Sequence, residues 1–345
     1  MQDADRAGGD DQDIGLSPGE RNVTAISRAD RSARHVVCTL GEGSYLLGIA
    51  GLVNSLVRAG FAGEIIIGYR GALPRWLDPF RRDGDDTSFQ ITPDVLVRMV
   101  IVEGGWHLNN AKAHFIADVA ERHAAEADLI YYLDSDIVVT HPWPIFAEWA
   151  MRGVVLVHDI ADSNMSPHHA YRYAWRDLAV ANGYDCREVT GYFNGGCIGF
   201  SRRDLRFVLT WRALMDAAGR TGIDMTTMKD AGGRLEFARR DQDVLNAAVM
   251  ATDTPLALLG YEAMGQYPWI NTIIPHAINF RKPWQRNYIF DALRGFPANR
   301  THLAYWRFVD GPTWPFTPAE IASKKRQLAV ARFISLLHVR SFRDL

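Results

Sequence analysis

The sequence predicts an α/β domain on a mainly parallel sheet, and three observations carry that prediction. Apolar residues 35–40 and 64–69 bracket a segment of helical periodicity, a strand-helix-strand unit. Leu129-Ile130-Tyr131-Tyr132-Leu133 is a continuous apolar run, the mark of a strand covered on both faces. Short strands and helical patterns then alternate as far as residue 250.

The elements follow in order. The first strand, 35–40, meets the turn Gly41-Glu42-Gly43-Ser44, and Leu46, Ile49, Ala50, Val53 and Val57 then recur at helical spacing until Gly60 ends the helix. The second strand, 64–69, implies a right-handed crossover and parallel pairing. Residues 97–102 read as a third strand and 110–123 as a helix with Ala111, Phe115, Val119 and Ala120 inward. The apolar run 129–133 stops at Asp134-Ser135-Asp136. Strands at 154–158 and 197–201, an aromatic-rich stretch at 168–194, and helices near 203–217 and 242–250 complete the domain. After Trp284 the pattern loosens. Thr317-Pro318-Ala319-Glu320 supplies the hydroxyl cap, first-position proline and returning glutamate that open a helix over 318–340. Its Val330, Phe333, Ile334 and Leu337 form an apolar stripe beside Lys324, Lys325, Arg326, Arg332, Arg340 and Arg343. Such a helix packs on its own domain, docks on a partner or lies on a membrane surface.

Composition narrows the function. The 345 residues are 48% hydrophobic and 23% charged, enough apolar material for an enzyme-sized core. With 38 Lys plus Arg against 40 Asp plus Glu, no global basic field exists to hold nucleic acid. Cys38, Cys186 and Cys197 are too scattered for a disulfide framework or a thiolate zinc site and suit a reducing compartment. Residues 1–34 are rich in Asp and Gly, contain no apolar leader and predict a disordered tail. No stretch reaches the roughly 18 apolar residues of a membrane span, so the expected location is cytoplasmic, with peripheral contact at the inner membrane face through the basic helix.

Four segments carry chemistry. Asp-x-Asp recurs at Asp3/Asp5, Asp11/Asp13, Asp83/Asp85, Asp134/Asp136 and Asp241/Asp243, so the tripeptide alone says little. Asp134-Ser135-Asp136 differs by standing at the carboxyl end of a buried strand, where open α/β sheets place ligands and where alternation aims both carboxylates one way. A simple turn cap explains the same letters. His276-Ala277-Ile278-Asn279-Phe280-Arg281-Lys282-Pro283-Trp284 pairs a potential imidazole ligand with a phosphate-neutralising lysine. In Tyr192-Phe193-Asn194-Gly195-Gly196 the glycines permit close backbone approach to a ligand; a tight turn between strands reads as well. Asp241-Gln242 opens a helix, where acids are expected on dipole grounds alone.

The order of these four segments resembles glycosyltransferase family 8, the glycogenin and lipopolysaccharide galactosyltransferase family, over approximately residues 35–290. Residues 291–345 lie outside the resemblance as a C-terminal extension. It implies a GT-A fold, with a Rossmann-like nucleotide-diphospho-sugar domain, a UDP-sugar donor, manganese and transfer with retention. Carried over by position, Asp134, Asp136 and His276 hold the metal, and Lys282 pairs with the diphosphate. Asn194 meets the donor sugar or acceptor, Asp241 meets sugar hydroxyls, and Gln242 sits beside the anomeric carbon. Lys112, Ser135 and Gly195 line the donor site, and Thr39, Leu40 and Tyr45 stand where the family holds the base. Two positions depart: Asn279 replaces a glycine near the phosphates, and Gly195 stands where many relatives have alanine.

Physical chemistry agrees with that assignment. A departing diphosphate gathers charge, which a divalent ion and an ammonium stabilise, and a mixed carboxylate and imidazole shell favours manganese over magnesium. The expected reaction moves a hexose, from UDP-glucose or UDP-galactose, to a hydroxyl of a glycan, a lipopolysaccharide-type saccharide or a protein. Two other readings remain: a sugar-nucleotide pyrophosphorylase, which needs a basic glycine-rich first loop where this chain has Glu42, and a non-catalytic nucleotide-sugar or glycan binder. His168, His169, Tyr171, Tyr173 and Trp175 offer aromatic faces to an acceptor, or core packing.

Overall fold

A computed structural model describes residues 33–228, 234–265, 272–278 and 281–343, with side chains through 336. Residues 1–32 of the predicted tail and Asn279 lie outside the described residues, while Arg34 already belongs to the domain, its N–H donating to Asp128 Oδ2 at 2.7 Å. Residues from Arg34 onward form one compact unit. The first half carries β1 (His35–Glu42), α1 (Tyr45–Arg58), β2 (Gly63–Arg70), β3 (Arg81–Arg82), β4 (Asp85–Thr92), β5 (Val95–Ile101), α2 (Lys112–Asp118) and β6 (Leu129–Leu133). The second carries α3 (Trp143–Arg152), β7 (Val154–His158), α4 (Ala170–Val180), β8 (Phe193–Ser201), α5 (Leu205–Arg220), α6 (Arg240–Met250) and β9 (Leu256–Leu259). Then come α7 (Tyr288–Leu293), α8 (Arg300–Arg307) and α9 (Pro318–Arg343).

The strands form one nine-stranded sheet in the order β3-β4-β5-β2-β1-β6-β8-β7-β9. β1 pairs in parallel with β2 and β6, β2 with β5, and β7 with β9. Only β4 and β8 run against the rest. The alternation in β6 explains its apolar run: Ile130 and Tyr132 join the core beneath α2, α4, α5 and α6, while Tyr131 and Leu133 join the core beneath α1 and α3. Both faces are covered, as the sequence requires.

Several elements were not read from the sequence, among them α3, β3 and β9, and two more differences bear on the sheet. The Asn194-Gly195-Gly196 segment is extended strand, not a turn, and β8 begins at Phe193. β4 was not anticipated, because its charged start hides the alternation of Phe89 and Ile91, the apolar residues that it buries.

The chain after Trp284 packs on this domain through a third core. Trp284, Tyr288, Tyr305, Trp306, Ile321, Leu328 and Ala331 close over Val138 and the half-buried Leu47 of α1. The cap of α9 forms as predicted: the Thr317 N–H donates to Glu320 Oε2 at 2.8 Å, and the Glu320 N–H returns to Thr317 Oγ1 at 3.3 Å. Its buried face is not the predicted stripe. Ile321, Leu328 and Ala331 are inward, Ile334 is half-buried, and Val330, Phe333 and Leu336 are exposed. The neighbours α7 and α8, absent from the sequence reading, select that face. The Leu337, Arg340 and Arg343 side chains lie outside the described residues.

Candidate active site

The acid pair stands where β6 ends. The Asp134 N–H donates to Gly196 O at 2.8 Å, and the Ile137 N–H closes a turn on Asp134 O at 3.0 Å. A distant segment then lies along this turn. Ile137 bridges His276 in antiparallel fashion, the Ala277 N–H donates to Asp136 O at 3.1 Å, and the Val138 N–H to Pro275 O at 3.2 Å. Backbone pairing therefore delivers the imidazole to the carboxylates. His276 Nε2 stands 3.1 Å from Asp136 Oδ1 and 3.5 Å from Asp134 Oδ2, and one ligand atom from each of the three residues falls within 4.8 Å of the others. A Cβ on Gly196 would meet His276 Cε1 at 2.6 Å and Asp134 Oδ2 at 2.8 Å, so only glycine admits this convergence. Gly48 does the same from below, where a Cβ would meet Ser135 O at 2.3 Å and the Trp284 ring at 2.5 Å. Nδ1 of His276 is buried without a hydrogen-bond partner among the described residues.

Two buried lysines balance the acids. Lys282 Nζ donates to Asp136 Oδ2 at 2.5 Å and Ala277 O at 3.0 Å. Lys112 Nζ meets Asp134 Oδ1 at 3.1 Å, Asp241 Oδ2 at 2.9 Å and Gly195 O at 2.9 Å. Burial opposes the charge on Asp136, but His276 and then Lys282 outweigh it and hold the carboxyl well below the ordinary range. Burial equally opposes the lysine charges, yet Asp134 and Asp241 raise the pKa of Lys112, and Asp136 raises that of Lys282. Both ammonium groups stay charged despite their burial. Tyr132 OH donates to Asp134 Oδ1 at 2.8 Å and completes the setting of that carboxylate.

A second polar corner adjoins the first through Gly195. The register of β7 against β8 slips between Leu156 and Val157, opposite the double glycine. The amides freed by this bulge turn to side chains: the Gly195 N–H donates to Gln242 Oε1 at 3.1 Å, and the Gly196 N–H to Asn194 Oδ1 at 2.8 Å. The other ends of both side chains meet one acceptor, Asp159 Oδ2, at 2.8 Å from Asn194 Nδ2 and 3.1 Å from Gln242 Nε2. Every amide donor and acceptor named here is matched, which fixes the orientation of both groups. Asp159 was missed in the sequence. It follows β7 as Asp134 follows β6, so the strand-end criterion that selected Asp134 would have found it. Beneath, Asn246 of α6 exchanges hydrogen bonds of 2.9 Å with both the N–H and the C=O of Phe193 and holds the strand entry to the helix.

The expected site residues thus fall into groups. Asp134, Asp136, His276 and Lys282 converge, and Lys112 joins them to Asp241, while Asn194, Gly195 and Gln242 form the adjoining corner. Ser135 is buried between them and α1. Tyr45 is partly exposed, and the Lys282 Nζ lies 5.7 Å from its ring centroid. Thr39 and Leu40 are buried in β1, Leu40 within the core, so neither side chain lies open to a ligand. The aromatic cluster divides: Trp175 is fully buried and stacked on Tyr192, His169 caps α4, and Tyr173 is exposed.

The same arrangement of sheet and helices occurs in the apo structure of the bifunctional glycosyltransferase WbbM, with a TM-score of 0.52 over 85% of this chain. The fold is GT-A-like. At 16% identity the likeness establishes the fold alone, and this chain spans 51% of that chain's length. No protein-family model matches the sequence, and no curated protein matches it.

Proposed function

We propose that the protein is a metal-dependent retaining hexosyltransferase of the family 8 type, moving glucose or galactose from its UDP-sugar to a hydroxyl of a glycan, a lipopolysaccharide-type saccharide or a protein. The observation that carries this reading is the meeting of Asp134 and Asp136 with His276, 140 positions beyond Asp136, backed by Lys282. The donor set fits the ion. Two carboxylates and an imidazole suit manganese better than magnesium, whose preference is for oxygen alone. When bound, manganese supplies a Lewis acid at the diphosphate leaving group.

The residues supply the rest. Among the described residues, Lys282 has two of its three N–H groups engaged, which leaves one for a phosphate oxygen. Lys112 holds Asp134 and Asp241 in place. Asp241, Asn194 and Gln242 present carboxylate and amide groups beside the same space, and Asp159 keeps the amides from rotating. The Asp241 carboxylate would face the oxocarbenium-like sugar; as the bond from the anomeric carbon to the diphosphate breaks, the acceptor hydroxyl would bond to that carbon on the vacated face and give its proton to a phosphate oxygen of the departing UDP.

Incubation with manganese and a panel of UDP-sugars, read as UDP release, tests the proposal. Release that requires manganese supports it. UTP formed from pyrophosphate would identify a pyrophosphorylase, and binding without turnover a non-catalytic relative. No helix among the described residues is long and apolar enough to cross a membrane. Exposed Val330, Phe333 and Leu336 beside exposed Arg326 and Arg332 support peripheral contact with an anionic bilayer, at the inner membrane face in the cytoplasm. The full chain should co-sediment with phosphatidylglycerol vesicles and not with phosphatidylcholine vesicles, and a Phe333→Ser variant should lose most of that binding.

A further inference from the structure

A separate concavity of about 440 Å3 opens on the other flank of the turn that starts α1, walled by Gly43, Ser44, Pro74, Arg75, Trp314 and Pro315. Its size lies within the range of small-ligand sites. Trp314 is 50% exposed, an apolar surface that contributes little to folding where it stands. Yet its backbone is held firmly. The neighbouring Thr313 is fully buried and tied to Asn54 of α1: the Thr313 N–H and Oγ1 donate to Asn54 Oδ1 at 2.9 and 2.8 Å, and Asn54 Nδ2 donates to Thr313 O at 2.9 Å. The opposite wall is equally fixed, because the Trp76 Nε1–H donates to Leu46 O at 3.1 Å. An exposed indole on a rigid mount, facing prolines, is a preorganised stacking surface.

The polar groups at the rim specify the ligand. Arg75 is exposed and makes no hydrogen bond or ion pair among the described residues. Ser44 Oγ accepts from Gln285 Nε2 at 3.1 Å, which leaves its own O–H to donate. An apolar face with hydroxyl and guanidinium donors at its edge matches a pyranose ring, which offers C–H groups on one face and hydroxyl acceptors around its rim. Ser44 precedes Tyr45, whose ring lies beside Lys282, so the cavity adjoins the candidate active site without sharing its acids.

We propose that this cavity binds a saccharide unit of the acceptor glycan, remote from the bond being made, with Trp314 stacking on the ring and Arg75 and Ser44 donating to its hydroxyls. The word acceptor rests on the transferase reading above; the saccharide site does not. The test is binding of the full-length, fluorescently labelled chain to an array of immobilised glycans, without nucleotide. The wild type should bind a subset of them, Trp314→Ala should lose about tenfold in apparent affinity for that subset, and Trp314→Phe should restore most of it. Arg75→Ala should weaken the same glycans, while melting curves verify that each variant is folded. Asp136→Ala should keep the array profile, so failure of the transferase reading leaves this one standing. A wild type that binds no glycan, or a Trp314→Ala profile identical to it, overturns the proposal. Loss of UDP affinity in Trp314→Ala with the glycan profile intact assigns the cavity to the nucleotide and overturns it as well.

Discussion

Lys112 grips Asp134 and Lys282 grips Asp136, but the two lysines are committed to different degrees. Lys112 projects from a helix and spends all three N–H groups on Asp134, Asp241 and Gly195 O. Lys282 comes from an irregular segment and spends two, on Asp136 and Ala277 O. The polar corner that Lys112 stabilises is closed, with Asp159, Asn194, Gln242 and two glycine amides answering one another. Among the described residues, the corner around Lys282 retains an unused ammonium hydrogen and an orphaned imidazole nitrogen. A group with nothing left to donate organises the site; a group with capacity in reserve can meet a ligand.

Four measurements break or sharpen that comparison. Asp136→Ala removes a charged candidate ligand from the open corner, and manganese-dependent UDP binding in calorimetry should fall by more than about a hundredfold. Undiminished binding would return the acid pair to a structural role. Lys112→Ala leaves Asp134 and Asp241 without their shared cation, which should cost about 3 kcal/mol of stability. Urea unfolding should register that loss, and manganese should restore it only in part, since Asp134 belongs to the candidate metal cluster and Asp241 does not. Lys282→Ala should lower turnover about a hundredfold, and whatever stability it loses should return when manganese is added. Equal behaviour of the two lysine variants toward manganese would erase the distinction drawn between them.

The smallest effect concerns Asp243, beneath the closed corner. Burial pushes its carboxyl up to about 7, against the lowering hydrogen bonds from Tyr192 OH and the Arg239 N–H and the charge of Arg239, while Asp241 adds to the rise. An acid raised on folding stabilises most when protonated, so its contribution is complete below the unfolded value of 3.8 and is lost as pH rises through about 7. The melting temperature should therefore decline across that window, with a shallower decline in Asp243→Asn. Identical slopes would place the pH dependence elsewhere.

What could be read in advance follows the range of the forces involved. The β1, α1, β2 opening, the doubly covered β6, the Thr317 cap and the strand-end acids are written in residues a few positions apart, because periodicity, capping and alternation act locally. His276 and Lys282 were nameable only through the order of four segments, and a backbone bridge between Ile137 and His276 set their distance from the acids. The Asn-Gly-Gly segment looked like a turn because glycines are conformationally free; tertiary crowding made them glycines for another reason, the absence of room for a Cβ at Gly196. The buried face of α9 was chosen by α7 and α8, and Asp159 acquired its place only when α6 set Gln242 against β8. Sequence alone thus determined the α/β architecture and the acids at its strand end, since local hydrogen bonding and apolar period suffice for both. Tertiary structure decided which polar groups are spent on one another and which stay available, because that balance depends on burial and on distance between residues such as Lys112 and Asp241, or Asp136 and His276, more than a hundred positions apart.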